Sequence, residues 1–262
     1  MLCRQSGVCG FLSGNHIYIV MRKYIKNLFK GWIGEKKASL NIWLSLNANV
    51  YHRVHDLIIP SRNGTTQIDH LLVSKYGLFI VETKNRSGWI FGAEDQVKWT
   101  QSLIGPRKFS IFGRRHSSIK YTFQNPLRQT FRQKKCLSEF LDLGEALIHT
   151  VVYFVGDCNF KTPMPPNVLR SGLGRYIKRF KTESLSSEEV RRVLEKLNTH
   201  ASENKLTKRD HVKSLRERHN SDTTCPKCGS RLVKRTAKRG KMAGSMFLGC
   251  ENYPKCRFTK NA

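Results

Sequence analysis

Two carboxylates and one ammonium group interrupt an otherwise apolar stretch of this sequence. Residues 64–85 read GTTQIDHLLVSKYGLFIVETKN, and the apolar residues predict two buried strands around a turn. Asp69, Glu82 and Lys84 lie within these strands. Because a buried charge is unfavourable unless it is paired, these three residues are candidates for a functional site.

A symmetric hairpin around Ser74 and Gly77 would bring the two acids together. In that register Asp69 lies opposite Glu82, with about 5 Å between their Cβ atoms. Two like charges repel at this distance, and Mg²⁺ binds proteins through one or two carboxylates plus substrate phosphate. The sequence therefore predicts a site for Mg²⁺ or Mn²⁺ that a phosphate completes. The alternative is an exposed edge hairpin whose acids are neutralised by basic neighbours, and His70, on the opposite face, is interpreted as a packing histidine.

Four cysteines near the end of the chain have the spacing of metal ligands. Cys225-x2-Cys228 and Cys250-x5-Cys256 supply four thiolates, with Gly229 and Gly249 placed to ease tight turns, which predicts one structural Zn²⁺. The other four cysteines are scattered and are interpreted as ordinary thiols. This usage favours a reducing, intracellular location, and the charge of the chain suggests a nucleoid-associated cytoplasmic protein.

The chain is strongly basic. Its 262 residues include 47 Lys+Arg and 19 Asp+Glu, a formal net charge of +28, which predicts a polyanionic partner, namely nucleic acid with DNA favoured. No membrane association is expected, because residues 8–20 are too short and too polar to span a bilayer. The candidate nucleic-acid-binding residues are Lys108, Arg114, Arg115, Arg231, Lys234, Arg235, Lys238, Arg239 and Lys241. Phe247, Tyr253 and Phe258 lie among the last of these and could stack on bases, although Phe247 is better explained as core.

The pattern of apolar residues predicts an α/β fold. A helix is expected from near Glu35, followed by a strand that closes at Pro60 and by the two strands of the hairpin. The chain after Gly88 is basic and is expected to be loop-like. Asn125 and Pro126 predict a helix start, the run HTVVYFVG predicts a central strand, and Ser186 with Glu189 predicts a capped final helix.

Several of these segments resemble the nuclease-related domain family of the PD-(D/E)xK restriction-endonuclease-like superfamily. The resemblance covers about residues 31–143 and rests on Gly34-Glu35, on QIDHLLVSKYGLFIVETKN, on Gly88 and Trp99, and on NPLRQ from Asn125. It implies a restriction-endonuclease-like core of helix, three-stranded antiparallel meander, helix and strand. It also implies that Asp69 is the motif aspartate, that Glu82 and Lys84 form the ExK element, and that Glu35 and Gln129 approach the site from two helices.

The implied activity is hydrolysis of DNA phosphodiester bonds with a divalent metal. Asp69 and Glu82 would hold the metal together with the Thr83 carbonyl, and Lys84 would orient the attacking water and stabilise the transition state. The last segment resembles the zinc ribbons of type IA topoisomerases and would tether the enzyme to DNA. The alternative is a catalytically inactive nucleic-acid-binding or adaptor protein, since related domains can lose activity and keep the fold.

The expected organisation has four parts. Residues 1–30 form an N-terminal extension, 31–198 the nuclease-related domain with a helical extension, 199–224 a polar, solvated linker and 225–262 the C4 zinc ribbon. Met21 opens a more typical start than Met1, which suggests that residues 1–20 are an over-extended reading frame.

Overall fold

The computed structural model describes residues 45–110, 113–204, 206–240, 242–254 and 256–261, and for residues 106–110 and 113–116 the description covers the backbone. The helix predicted from Glu35 lies outside the described residues. Among the residues that are described, no helix is long and apolar enough to cross a bilayer.

The described elements form two larger sheets, a small C-terminal sheet and four α-helices. In chain order they are β1 (His52–Ser61), β2 (Gly64–Ser74), β3 (Gly77–Lys84), β4 (Gly88–Phe91), β5 (Lys98–Ser110), β6 (Gly113–Gln124), α1 (Pro126–Leu141), a 3₁₀ turn (Glu145–Leu147), β7 (Ile148–Phe154), β8 (Cys158–Phe160), β9 (Val168–Leu169), α2 (Leu173–Ile177), α3 (Ser187–Glu203), α4 (Lys208–Asn220), β10 (Leu232–Thr236), β11 (Met246–Cys250) and β12 (Thr259–Asn261).

The main sheet has the order β1-β2-β3-β7-β9 and is covered on both faces. Its first three strands form an antiparallel meander, and β7 and β9 continue it in parallel. Side chains alternate along β3, so Leu78 and Ile80 join the core under α1 and α3, while Phe79 and Val81 join the core on the α2 side. The predicted α/β fold, its meander and its central strand are confirmed.

The β2-β3 hairpin has the register expected from the sequence. Val73 pairs with Leu78, and His70 pairs with Val81. Gly77 has a φ of 113°, and a Cβ at this position would lie 2.8 Å from the Leu147 carbonyl oxygen. The tight turn therefore depends on glycine, both for its backbone angle and for the space it leaves.

The segment after Gly88 is a second sheet, and the prediction of a loop was wrong. Its strand order is β6-β5-β4-β8. Ile90, Trp99 and Phe123 point to one side of this sheet and form a core with Phe154 of β7. The basic residues between these positions obscure the two-residue alternation in the sequence, and only the pairing partner makes the strands recognisable.

The predicted start of α1 is confirmed. The Asn125 side chain accepts a hydrogen bond from the Leu127 amide at 2.9 Å, and Pro126 occupies the first turn. The Asn125 Nδ2 also donates to the carbonyl oxygens of Ala93, Glu94 and Gln96. The cap thus fixes the start of α1 against the loop between β4 and β5.

Residues 199–224 are more ordered than the predicted linker. Helix α3 extends to Glu203 with the expected Ser186 and Glu189 capping box, and α4 has its own box formed by Thr207 and Asp210. The α4 helix has no buried residue, so apolar periodicity could not reveal it. It contacts β2 through polar groups, because the Thr65 amide donates to Ser214 Oγ at 3.0 Å. The proposed domain boundaries stay a prediction.

Candidate functional site

Glu82 lies at the carboxyl end of β3 and is only 2% exposed. Its Oε1 pairs with the Lys84 ammonium, and its Oε2 accepts a hydrogen bond from Gln133 Nε2 at 2.8 Å. Burial raises the pKa of Glu82, and the charge of Asp69 raises it further, whereas Lys84 and the hydrogen bonds oppose the increase. The carboxylate is therefore held in a fixed position at a cost in desolvation.

Asp69 lies on β2 where the pairing with β3 ends. Its Oδ2 accepts hydrogen bonds from the amide and the hydroxyl of Thr83, each at 3.1 Å. This contact replaces the continuation of the β2-β3 ladder, which is regular up to His70 and Val81. The predicted pair of Asp69 and Glu82 is therefore not part of the regular ladder, and Asp69 contacts the neighbouring Thr83.

Lys84 connects the hairpin to α1. Its Nζ contacts Glu82 and donates to Gln129 Oε1 at 3.0 Å, and its side chain is 19% exposed. The predicted approach of Gln129 from the helix is therefore present in the structure. Because the ammonium lies between a buried carboxylate and solvent, it is placed to act on a group that enters from solvent.

Sequence reasoning missed Gln133. This residue is buried on α1, and its Nε2 donates to the Gln67 carbonyl oxygen at 2.9 Å as well as to Glu82. The available signal was its spacing of four residues from Gln129, which places both amides on one face of a helix. An uncharged polar residue on a face that otherwise carries Leu137 and Leu141 marks a position that must satisfy a buried partner.

The donors of this cluster suit a hard divalent cation. Asp69, Glu82 and the neighbouring backbone offer oxygen ligands, which Mg²⁺ and Mn²⁺ prefer. Gln133 Oε1 is buried and accepts no hydrogen bond from the described part of the chain, so it lacks an electropositive partner. Glu35, predicted to approach the same cluster, lies outside the described residues.

The four terminal cysteines form a separate cluster that could hold a metal ion. Their sulfur atoms all lie within 4.8 Å of one another, including 3.7 Å between Cys225 and Cys256 and 3.4 Å between Cys228 and Cys250. A tetrahedral Zn²⁺ with sulfur ligands about 2.3 Å away separates those ligands by about 3.8 Å, so the cluster fits structural zinc.

The two predicted glycine roles differ in this ribbon. Gly229 has a φ of 79° and closes the first knuckle through a hydrogen bond to the Cys225 carbonyl oxygen. Gly249 is not in a turn, because it lies within β11 opposite Val233. A Cβ there would lie 2.9 Å from Arg235 Cδ, so the Arg235 side chain crosses the strand at this glycine.

Two family models match separate parts of the chain. Residues 30–155 match the family model of the nuclease-related domain, and residues 222–262 match that of the topoisomerase DNA-binding C4 zinc finger. The chain contains a nuclease-related domain and a topoisomerase-type zinc finger. This composition supports a nuclease-like protein associated with nucleic acid.

Individual relatives cover parts of the chain. An uncharacterized protein of Bacillus anthracis is 33% identical over 124 residues, which are 47% of this chain and 51% of the relative. The DNA topoisomerase 1 of Methanothermobacter thermautotrophicus is 51% identical over 35 residues, or 13% of this chain and 4% of the relative. That of Archaeoglobus fulgidus is 48% identical over 50 residues, or 18% and 7%. The chain thus spans about half the length of the first relative, and no solved structure matches it.

The zinc finger presents basic residues to solvent. Arg231, Lys234, Arg235, Lys238 and Arg239 are exposed. Arg235 also lies 5.9 Å from the centre of the exposed Tyr253 ring. Phe258 packs against the buried cysteines, whereas Phe247 is half-buried outside that cluster, so the interpretation of Phe247 as core does not hold. Lys241 and the side chains of Lys108, Arg114 and Arg115 lie outside the described residues.

The first zinc knuckle contacts the nuclease-related domain. Asn63, in the turn between β1 and β2, donates to the Cys225 carbonyl oxygen at 3.1 Å. Arg132 of α1 donates to the Pro226 carbonyl oxygen at 3.2 Å and to Asn63 Oδ1 at 2.6 Å. Arg132 directly precedes Gln133, so the helix that contacts the zinc knuckle also supplies a hydrogen bond to Glu82.

His70 has the packing role expected from the sequence. It is 3% exposed, and its Nδ1 lies 2.7 Å from His55 Nδ1. Burial, reinforced by the neighbouring His55, lowers the pKa of His70 to about 4. The ring is therefore neutral at physiological pH and lies on the face of β2 opposite the acidic cluster.

Proposed function

We propose that this protein is a nuclease that uses Mg²⁺ or Mn²⁺ to hydrolyse phosphodiester bonds of DNA. The observation that supports this most is the buried Glu82 carboxylate, which is oriented by Lys84 and Gln133 beside Asp69. A folded protein gains no stability from two adjacent carboxylates of which one is buried. A catalytic requirement explains why such an arrangement is retained.

Asp69 and Glu82 would hold the metal, with the Thr83 carbonyl as a further oxygen ligand. When bound, a divalent cation polarises the scissile phosphate and lowers the pKa of a water ligand. Gln133 keeps Glu82 in one rotamer, and the Thr83 amide and hydroxyl do the same for Asp69. The ligands are thus oriented before substrate arrives, which avoids a reorganisation cost.

Lys84 is the proposed group that acts on the attacking water. Its Nζ is anchored by Glu82 and Gln129 and is partly exposed to solvent. From this position the ammonium would orient the water and stabilise negative charge that develops on the phosphate in the transition state. The hydrogen bond to Gln129 would hold the Lys84 ammonium in an orientation that also contacts Glu82.

The zinc finger is the proposed tether to DNA, which would make the protein nucleoid-associated. Its exposed basic residues can contact phosphates, and Tyr253, which is 60% exposed, can stack on an unpaired base. The contact between the knuckle and α1 would keep this binding surface at a fixed side of the nuclease-related domain.

A catalytically inactive nucleic-acid-binding protein is the second candidate. It is favoured by one observation, namely that both Glu82 oxygens already have partners in Lys84 and Gln133. Such pairing could maintain the fold of a scaffold without a metal. A metal-binding measurement therefore distinguishes the two candidates as directly as an activity assay.

The deciding experiment incubates purified protein with labelled single-stranded and double-stranded DNA in Mg²⁺, in Mn²⁺ or without added divalent metal. We expect metal-dependent cleavage that is lost in Glu82→Gln and Asp69→Asn. Glu145→Gln serves as the matched control, since Glu145 is exposed on the 3₁₀ turn. Cleavage by Glu82→Gln at the wild-type rate would remove this site from the mechanism.

A further inference from the structure

Strands β5 and β6 extend beyond the sheet to which they belong. They pair from Lys98 and Gln124 at the base to Ser110 and Gly113 at the tip. The neighbouring β4 pairs with β5 over residues 100–102 alone. From Leu103 onward the hairpin has no third strand among the described residues. At about 3.3 Å per residue this part, residues 103–110 with 113–119, is about 26 Å long, and it is called the arm below.

A bulge near the base bends the arm. The pairing shifts by one residue between Ile104 and Arg107, so that Gly105 and Pro106 face Ser117. A Cβ on Gly105 would lie 2.6 Å from Ser117 Oγ and 2.9 Å from the Ser117 carbonyl oxygen, so the bulge requires glycine. Proline cannot donate a ladder hydrogen bond and is tolerated at a bulge. Bulges of this kind redirect a strand, and they occur next to functional sites.

All charged residues of the hairpin are basic. Residues 98–124 contain six basic residues and no acidic residue. Lys108 and Arg115 occupy paired positions in the register, and like charges at paired positions destabilise an isolated hairpin. A polyanion that lies along the arm would remove this repulsion. The charge of the arm is therefore complementary to that of a nucleic acid.

Apolar side chains are exposed where the arm leaves the sheet. Ile104 is 78% exposed, Ile119 is 40% exposed, and Tyr121, just below Ile119 on β6, is 43% exposed. A free edge with exposed apolar residues favours aggregation unless something covers it. Apolar groups between basic residues suit contact with the base edges and methyl groups of a nucleic-acid groove.

The part of the hairpin below the arm contacts a residue that follows the candidate active site. Arg86 follows Lys84 by two residues, and its Nη1 donates to Gln101 Oε1 of β5 at 3.3 Å. The Arg86 guanidinium also lies 4.7 Å from the centre of the Phe123 ring of β6. A nucleic acid that contacts the start of the arm would therefore lie on the side of the hairpin that carries the Glu82-Lys84 end of β3.

We propose that the arm binds in the major groove of double-stranded DNA and presents the duplex to the Asp69-Glu82 site. This inference deepens the proposed function by naming the substrate form, and it rests on that function for its role in cleavage. The major groove of B-form DNA is wide enough for a two-stranded β-ribbon, whereas that of A-form RNA is deep and narrow. The arm thus selects duplex DNA over duplex RNA and over single strands.

The test compares binding of a short duplex DNA, a duplex RNA and a single-stranded DNA of one sequence, by fluorescence anisotropy without added divalent metal. In the shortened variant, residues 105–117 are replaced by Asn-Gly, which joins the paired residues Ile104 and Ser118 by a two-residue turn. A second variant, R107Q/K108Q/R114Q/R115Q, keeps the length and removes four charges. The matched control, R175Q/K178Q/R179Q/K181Q, removes four exposed charges near α2.

We expect both arm variants to lose about tenfold or more in affinity for duplex DNA. The slope of log affinity against log salt should fall by about 0.9 for each lost phosphate contact. Affinity for single-stranded DNA and duplex RNA should fall less than affinity for duplex DNA, and the control should leave the preference for duplex DNA unchanged. An equal loss for all three ligands, or unchanged duplex binding in the shortened variant, would overturn the proposal.

An unchanged melting temperature of the shortened variant verifies that the rest of the protein is folded. These binding measurements need no cleavage. The proposal about the arm can therefore be wrong in a protein that cleaves DNA, and it can be right in a protein that does not. If wild-type protein cleaves duplex DNA and the shortened variant cleaves it at the same rate under subsaturating substrate, the arm has no part in substrate binding.

Discussion

Gln133 Nε2 donates a hydrogen bond to Glu82 Oε2 across 2.8 Å, and the same nitrogen donates to the Gln67 carbonyl oxygen at 2.9 Å. One amide thus joins α1 to both strands of the hairpin that carries the acids. The orientation of the buried carboxylate depends on this helix as well as on its own strand. A change in α1 should therefore affect metal binding without altering any ligand.

Substitution of Gln133 by methionine should weaken the metal site. Loss of the hydrogen bond removes a contact that favours the charged form of Glu82, so the pKa of Glu82 should rise further. We expect Mn²⁺ affinity measured by calorimetry to fall by about tenfold to a hundredfold, as for other residues that support a metal ligand. The pH at which Mn²⁺ binds half-maximally should increase. Equal affinity in the variant and the wild type would show that Gln133 has no such role.

The stability of Glu82→Gln minus that of the wild type should increase as the pH rises. Burial and Asp69 raise the pKa of Glu82 above its ordinary value of 4.5, so the folded state retains a proton that the unfolded state has lost. This contribution to wild-type stability is lost as the pH rises from 4.5 toward the folded pKa, whereas a glutamine has no such loss. Melting temperatures of the two proteins without metal, measured from pH 4 to 8, check this. A variant that loses stability relative to the wild type over this range contradicts the prediction.

Lys84→Ala should lower the cleavage rate more than metal affinity. The ammonium is not a metal ligand, but it is the charged partner of Glu82, so its removal leaves a buried carboxylate unpaired and costs about 3 kcal/mol of stability in the metal-free protein. Added Mn²⁺ should restore much of that stability by replacing the missing positive charge. Single-turnover cleavage and Mn²⁺ titration separate the two effects, and parallel losses of similar size would refute the assigned role.

Arg132→Ala should weaken the contact between the zinc finger and the nuclease-related domain, although Asn63 still donates to the Cys225 carbonyl oxygen. Arg132 donates to Pro226 and Asn63, whereas Arg128 on the same helix donates to the Asp95 carbonyl oxygen and is the matched control. We expect Arg132→Ala to bind DNA with nearly unchanged affinity but to increase hydrogen exchange at α1 and in the first knuckle. Removal of zinc should produce the same change in α1 and also unfold the finger, which is too small to fold without metal. Unchanged exchange in α1 after zinc removal would show that the two parts are independent.

The folded protein should lose stability at acidic pH, because it excludes a proton from His70. Because burial lowers the pKa of His70 to about 4, stability should fall as the pH decreases from about 6.5 to 4, with a total loss of about 3 kcal/mol. His70→Gln should flatten this dependence, whereas His219→Gln, at an exposed residue of α4, should not. Urea titrations at several pH values measure the difference. An unchanged pH dependence in His70→Gln would assign the acid sensitivity to other groups.

The local sequence was sufficient to predict the elements that have strong local signals. The two apolar runs on either side of Ser74 and Gly77 predicted the hairpin, and symmetric pairing around that turn predicted its register. The cap at Asn125 and the box at Ser186 and Glu189 predicted two helix starts, because these bonds join residues within three positions of each other. The four cysteines predicted their own cluster, since each pair is a short knuckle whose geometry depends on few other residues.

Tertiary structure decided the features that depend on distant partners. The β5-β6 hairpin is a sheet because Trp99 and Phe123 meet a core that includes Phe154, and no local periodicity reports such a contact. Helix α4 contacts β2 through single polar groups, so it leaves no apolar stripe in the sequence. Gln133 could not be assigned to Glu82 from spacing alone, because the two residues are 51 positions apart and meet only when α1 packs on the sheet. The sequence by itself thus determined which groups could do chemistry, and packing between distant segments determined how those groups are oriented and what surrounds them.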